Sequence, residues 1–195
     1  MQVIPRGFAL GGTARVLRGF AGRDGDCRVS NARVGAGARR ERAASVGSMS
    51  TVLVVNGPNL GRLGTREPEK YGSTTQDELA ALVMEWGSHV GLEATLRQSD
   101  NETDLVQWMH EAVDNGWHVI LNPAAFTHYS YALRDACALV TAAGLTLVEV
   151  HLTNPHAREE FRATSVISAV ATGTIAGMGL DSYRLALQAV AHRVG

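Results

Sequence analysis

The chain predicts an α/β protein built on a doubly wound, five-stranded parallel sheet. Three observations carry this. Short runs of Val, Leu and Ile alternate with longer segments of helical periodicity from Thr51 onward. The connections between them are short, which places successive elements side by side. Three of the apolar runs end in polar loops, Asn56-Gly-Pro58, Asn122-Pro123 and His151-Leu-Thr-Asn-Pro155, and the carboxyl ends of strands are where such sheets hold their ligands.

Each element has a local cause. Val52–Val55 is a buried strand stopped by Asn56-Gly-Pro58. Thr75-Gln-Asp-Glu78 is a capping box and starts a helix over about 76–90, with Leu79, Leu82, Val83 and Trp86 on its apolar face and Gly91 as its stop. Leu92–Arg97 is the second strand. Glu102–Asn115 is the second helix, with Leu105, Val106, Met109 and Val113 inward and Gly116 at its end. Val119–Leu121 is the third strand. Ser130–Ala143 is the third helix, closed by Gly144, and Leu145–Val150 is the fourth strand. Residues 170–176 suit a fifth strand, and Asp181 is expected to cap a last helix reaching about His192. Five strands in this sequence fit the flavodoxin-like order 2-1-3-4-5, so the loops after strands one, three and four should converge on one crevice.

The composition narrows the function. With 18 basic and 19 acidic residues the net charge is -1, which supports neither a nucleic-acid nor a membrane-surface role. No apolar run reaches the roughly eighteen residues of a membrane span. The two cysteines, Cys27 and Cys137, are far apart and argue against a disulfide scaffold or zinc ribbon, so a reducing, cytoplasmic setting fits. Cys137 falls at an apolar helix phase and reads as core. Charge is unevenly spread. Residues 1–48 hold nine arginines, no lysine, three acids and nine glycines, a net of +6, while 49–195 carries -7. The leading segment has no hydrophobic periodicity and is expected to be disordered. It lacks the compact apolar stretch of a secretory signal. An organelle transit peptide and a translation start at Met49 are two readings of it; nucleic-acid binding by the arginines, which a steep salt dependence would reveal, is a third.

The three loops suggest acid–base chemistry. Glu149 and His151 are two apart on a strand and share a face, where a carboxylate can orient an imidazole. The long first loop, Asn56–Gly72, lacks a Gly-Lys-Ser/Thr phosphate signature, and Gly57, Gly61 and Gly64 do not match dinucleotide spacing. That loop is long enough to act as a lid and contains Arg66 and Tyr71. His89, His110, His118 and His192 read as surface or packing residues. No cluster has metal-ligand spacing. Lys70, the sole lysine, sits among charges in the loop and does not suit Schiff-base chemistry. On these residues alone, a non-enzymatic flavodoxin-like module that binds a small ligand remains the alternative.

The text of these loops closely resembles type II 3-dehydroquinate dehydratase. The matching stretches are Asn56–Gly72, Arg97-Gln-Ser99, Trp108-Met-His-Glu111, Asn122-Pro123, Thr127-His128, Leu133-Arg-Asp135 and Val148–Arg162, together spanning nearly all of 51–192. The resemblance implies conversion of 3-dehydroquinate to 3-dehydroshikimate without metal or organic cofactor, in a homo-oligomer of trimers, usually a dodecamer. It implies Tyr71 as the base at C2, Arg66 as its activator, Asn59 at the enolate oxygen, and His151, oriented by Glu149, as the acid. It further implies Asn122, His128 and Arg162 at substrate hydroxyls, the Leu152 and Thr153 amides at the carboxylate, and Asp135 reaching a neighbouring subunit's site. Lowering a phenol from about 10 to about 7 takes about 4 kcal/mol, roughly what a guanidinium about 4 Å away supplies at an effective dielectric of about 20. Two departures stand out: Ala124 replaces a more usual glycine, and Ala169 a common proline. Ala124 would be strained if its backbone needs unusual angles.

Overall fold

A computed structural model describes residues 49–65 and 73–195. The expectations for residues 1–48, and for Arg66, Lys70 and Tyr71, lie outside the described residues.

The sheet comprises β1 (Ser50–Asn56), β2 (Leu92–Gln98), β3 (His118–Asn122), β4 (Leu147–His151) and β5 (Gly173–Ala176). All neighbours pair in parallel, in the order β2-β1-β3-β4-β5. The helices are α1 (Gln76–His89), α2 (Glu102–Asn115), α3 (Tyr131–Ala142) and α4 (Asp181–Val194). This is the expected flavodoxin-like, doubly wound fold.

Side-chain alternation along the strands divides the core between two faces. Val52 and Val54 of β1, Ile120 of β3 and Val148 and Val150 of β4 pack under α1 and α4, against Leu79, Val83, Ala186, Leu187 and Val190. Leu53, Val55, Val119, Leu121 and Leu147 point the other way, against Leu105 and Met109 of α2 and Leu133, Cys137 and Val140 of α3. Cys137 is core, as expected; burial pushes its thiol up to about 12.

The local signals operate as the residues dictate. Thr75 and Glu78 form both halves of the capping box. The Ser130 hydroxyl accepts the Leu133 N–H at 3.0 Å and starts α3. Gly91, Gly116 and Gly144 end their helices at positive φ. Most element ends shift by one to three residues from the sequence reading, and three of the shifts have a cause in the hydrogen bonds. β4 begins at Leu147, because Leu145 N–H returns to Val140 O and Thr146 N–H is taken by His118 Nδ1. β5 begins at Gly173, because Val170 and Ala171 N–H fold back to Ile167 O. Asp181 does not cap α4: it is the first helical residue, and its carboxylate accepts from Arg184 Nε at 2.9 Å.

Candidate active site

The polar loops after β1, β3 and β4 meet at the carboxyl edge of the sheet and line one crevice. From β1 come Asn59 and Arg62, from β3 Asn122 and His128, and from β4 His151, Leu152 and Thr153, with Arg158 and Arg162 beyond them. Every described residue singled out above therefore lines this crevice except two. Glu149 lies beneath it. Asp135 points to solvent from α3, its side chain 75% exposed and paired with Arg134 at 2.8 Å.

The crevice floor depends on close backbone approach. Gly57 N–H donates to Asn122 O at 2.8 Å, and a Cβ at Gly57 would sit 2.7 Å from Pro123 O. Asn59 adopts a left-handed conformation, φ 68°, and its N–H is held by Asp100 Oδ1 at 2.8 Å. Ala124 also has positive φ, 50°. The suspected strain at this alanine is thus present, on a turn that only glycine accommodates freely.

Asn122 is buried and fixed at both ends of its amide. Its Nδ2 donates to Tyr183 Oη at 2.9 Å, and its Oδ1 accepts from Ala124 N–H at 3.3 Å. Tyr183 in turn donates to Asn56 Oδ1 at 2.7 Å. Burial pushes the Tyr183 phenol up, against the pull of Asn122 and Asn56. His128 Nδ1 faces the Thr164 carbonyl at 2.8 Å, so it carries the proton and donates. Arg162 is held by Glu159 Oε2 at 2.7 Å and lies over the Phe161 ring.

At the end of β4, His151 Nε2 is 2.8 Å from Glu149 Oε1. Glu149 is fully buried, on the core face that Leu147 shares. Its carboxylate also accepts hydrogen bonds from the hydroxyls of Thr127, Ser165 and Ser168. Burial pushes this carboxyl up, but the bonds from His151, Ser168 and Thr127 outweigh burial and hold it below the ordinary glutamate value. The pair is an oriented imidazole beside a fixed anion, suited to moving a proton.

Sequence reasoning did not single out Arg62, Arg158, Tyr183, Ser165 or Ser168. Tyr183 has a helical core phase with Leu187 and Val190, which hides its polar role. The serines lie in irregular chain, where no periodicity flags them. Among the described residues no group of three His, Cys, Asp or Glu could hold a metal, and no helix is long and apolar enough to cross a membrane.

Fold and site together define a flavodoxin-like protein with an acid–base pair at the switch edge of its sheet. The sequence pattern described as "Dehydroquinase class II" matches residues 50–191. The chain is 61% identical over 142 residues to a 3-dehydroquinate dehydratase of Salinispora tropica, covering 73% of this chain and 97% of that one. It is 54% identical over 144 residues to the 3-dehydroquinate dehydratase of Mycobacterium tuberculosis, covering 74% and 96%. The type II dehydroquinase of Propionibacterium acnes has a solved structure that superposes with a TM-score of 0.70 at 50% identity, covering 73% of this chain and 97% of that one. The chain belongs to the class II dehydroquinase family.

Proposed function

We propose that the protein dehydrates 3-dehydroquinate to 3-dehydroshikimate, a step of the shikimate pathway leading to aromatic amino acids. The observation that carries this reading is the oriented Glu149–His151 pair, set in a crevice whose other polar groups suit a hydroxylated carboxylate ring. Tyr71, activated by Arg66, removes the C2 proton. The electrons move to the ketone oxygen, giving an enolate that Asn59 stabilises through a water. The enolate then collapses, forming the C1–C2 double bond, and the C1 hydroxyl leaves with a proton from His151 as water. The two proton transfers fall on opposite faces of the ring, an anti elimination. Asn122, His128 and Arg162 hold ring hydroxyls, and the Leu152 and Thr153 amides hold the carboxylate. Exclusion of water by the lid strengthens the guanidinium–phenolate attraction. The residues supply every proton, so no cofactor enters the reaction.

The working unit is a homo-oligomer, a dodecamer of four trimers, with Asp135 reaching the neighbour's crevice. The exposure of Asp135, Tyr131 and Leu139 on α3 supports such a contact. Light scattering of the purified protein tests it; a monomer removes the basis for the Asp135 role. The cytoplasm is the proposed compartment. The decisive assay mixes the protein with 3-dehydroquinate and follows the conjugated enone in the ultraviolet. Tyr71→Phe should nearly abolish turnover while substrate binding persists. Absence of enone from the unaltered protein would overturn the reading.

A further inference from the structure

We infer that Thr127, Ser165 and Ser168 are positioning residues that keep the shared proton of the Glu149–His151 pair on the imidazole. The inference rests on the acid role proposed above for His151 and adds what maintains it. Glu149 is a carboxylate in a core position of β4, with no exposure to water. In such a place a carboxyl ordinarily takes up a proton. The nearest proton is the one on His151 Nε2, 2.8 Å away. Were it to cross, the imidazole would be neutral and the site would lose its acid.

Hydrogen-bond accounting shows why it stays. Ser165 Oγ accepts the N–H groups of Ile167 at 3.1 Å and Ser168 at 2.9 Å, so both its lone pairs are used. Its one proton is then shared between the Glu149 oxygens, 3.1 and 3.2 Å away, and Thr127 Oγ1, 2.7 Å away, which accepts because the Thr127 proton goes to Glu149. Thr127 donates to Oε1 and Ser168 to Oε2. Ser168 Oγ accepts from Thr174 Oγ1 at 3.3 Å, which further commits its own proton to the carboxylate. With His151, four donors face one anion. A proton crossing from His151 would leave the three hydroxyls donating to a neutral carboxyl, and their charge-assisted bonds would weaken to ordinary ones, so the hydroxyls favour the anion and the proton stays on the imidazole. Among the described residues, no titratable group other than His151 hydrogen-bonds Glu149. The Cys137 thiol, on α3, stays protonated, and Arg162 and His156 border the shallow hollow beyond Ser165 and Ser168. The hydroxyls come from two segments, the turn after β3 and the strap before β5, so the donor ring also ties both to the end of β4.

The test uses the full chain and the isosteric pair Thr127→Val and Thr127→Ser, with Ser168→Ala. Infrared spectra at neutral pH, with carbon-13 glutamate to assign the band, report a protonated buried carboxyl directly and need no substrate. The unaltered protein should show no such band. Thr127→Val combined with Ser168→Ala should show it, and adding Glu149→Gln should remove it. Steady-state rates should fall about tenfold in kcat for each lost donor, with KM changed less than twofold, and Thr127→Ser should restore the rate. Ser168→Ala alone leaves Ser165 on its backbone partners and carries the test if the double variant does not fold. The inference is overturned by absence of the acid band in these variants, or by a Thr127→Ser rate as low as that of Thr127→Val. An unaltered protein that does not turn over 3-dehydroquinate sinks the functional reading instead, and leaves the infrared result to stand on its own.

Discussion

Among the described residues two oxygen acids are fully buried, Glu149 on β4 and Tyr183 on α4, and they end in opposite states. Burial pushes both proton affinities up. At Tyr183 burial prevails: the phenol donates to Asn56, accepts from Asn122 and stays neutral. At Glu149 the bonds from His151, Ser168 and Thr127 outweigh burial and the carboxyl stays ionised. The balance between burial and the donors facing the oxygen decides which way each proton affinity moves from its ordinary value. The neutral cluster fixes the ends of β1 and β3; the charged one aims an acid into the crevice.

The largest expected effect breaks the charged side of this contrast. Glu149→Gln keeps the volume but brings an amide N–H₂ against a ring of donors. Turnover of 3-dehydroquinate should fall by about 100-fold or more in kcat, the scale of general acid catalysis, as measured by steady-state kinetics. A variant as fast as the parent would show that the carboxylate does not serve the acid. Tyr183→Phe breaks the neutral side. It leaves Asn56 Oδ1 and one Asn122 N–H buried without a partner, and should cost about 2 kcal/mol in urea unfolding. Its effect on kcat should be far smaller than that of Glu149→Gln.

The pH dependence of stability sharpens the same contrast, because the two linkages have opposite signs. The folded Glu149 carboxyl lies below its ordinary 4.5, so its contribution is present above 4.5 and fades as pH falls through the folded value. The folded Tyr183 phenol lies above its ordinary 10.0, so its contribution is full below 10.0 and fades as pH rises through the folded value. Unfolding midpoints against pH should show Glu149→Gln flattening only the acid limb and Tyr183→Phe only the alkaline limb. The smallest effect concerns the turn that carries Thr127 and His128. Ala124 sits at φ 50°, so Ala124→Gly should relieve about 1–2 kcal/mol of left-handed strain and forfeit about half of that to chain entropy. A net gain of about 0.5 kcal/mol in denaturant unfolding is expected; a loss would mean that the turn tolerates Cβ without strain.

Much of this molecule was legible before any coordinates. The strand alternation, the Thr75 capping box, the glycines closing three helices and the crevice at the carboxyl edge follow from local rules, because period, cap and turn residues act within a few positions of one another. The Glu149–His151 pair was legible for the same reason: two residues on one strand share a face. The start of β4 was misread where a contact from 28 positions away competed, and the start of β5 and the role of Asp181 where a second local bond competed with the expected one. His118 reaching Thr146 is the long contact; Ile167 taking the Val170 and Ala171 N–H groups and Arg184 claiming the Asp181 carboxylate are the local ones.

The sequence by itself determined which residues form strands and helices, the order of the sheet, and that an imidazole with a carboxylate beside it stands at the crevice. Only the tertiary structure decided that the carboxylate is an anion. Its donors come from residues 127, 165 and 168, brought to residue 149 by two loops whose local sequence carries no period. Proton affinity depends on the distances and directions of such donors, and those exist only once the chain has closed around them.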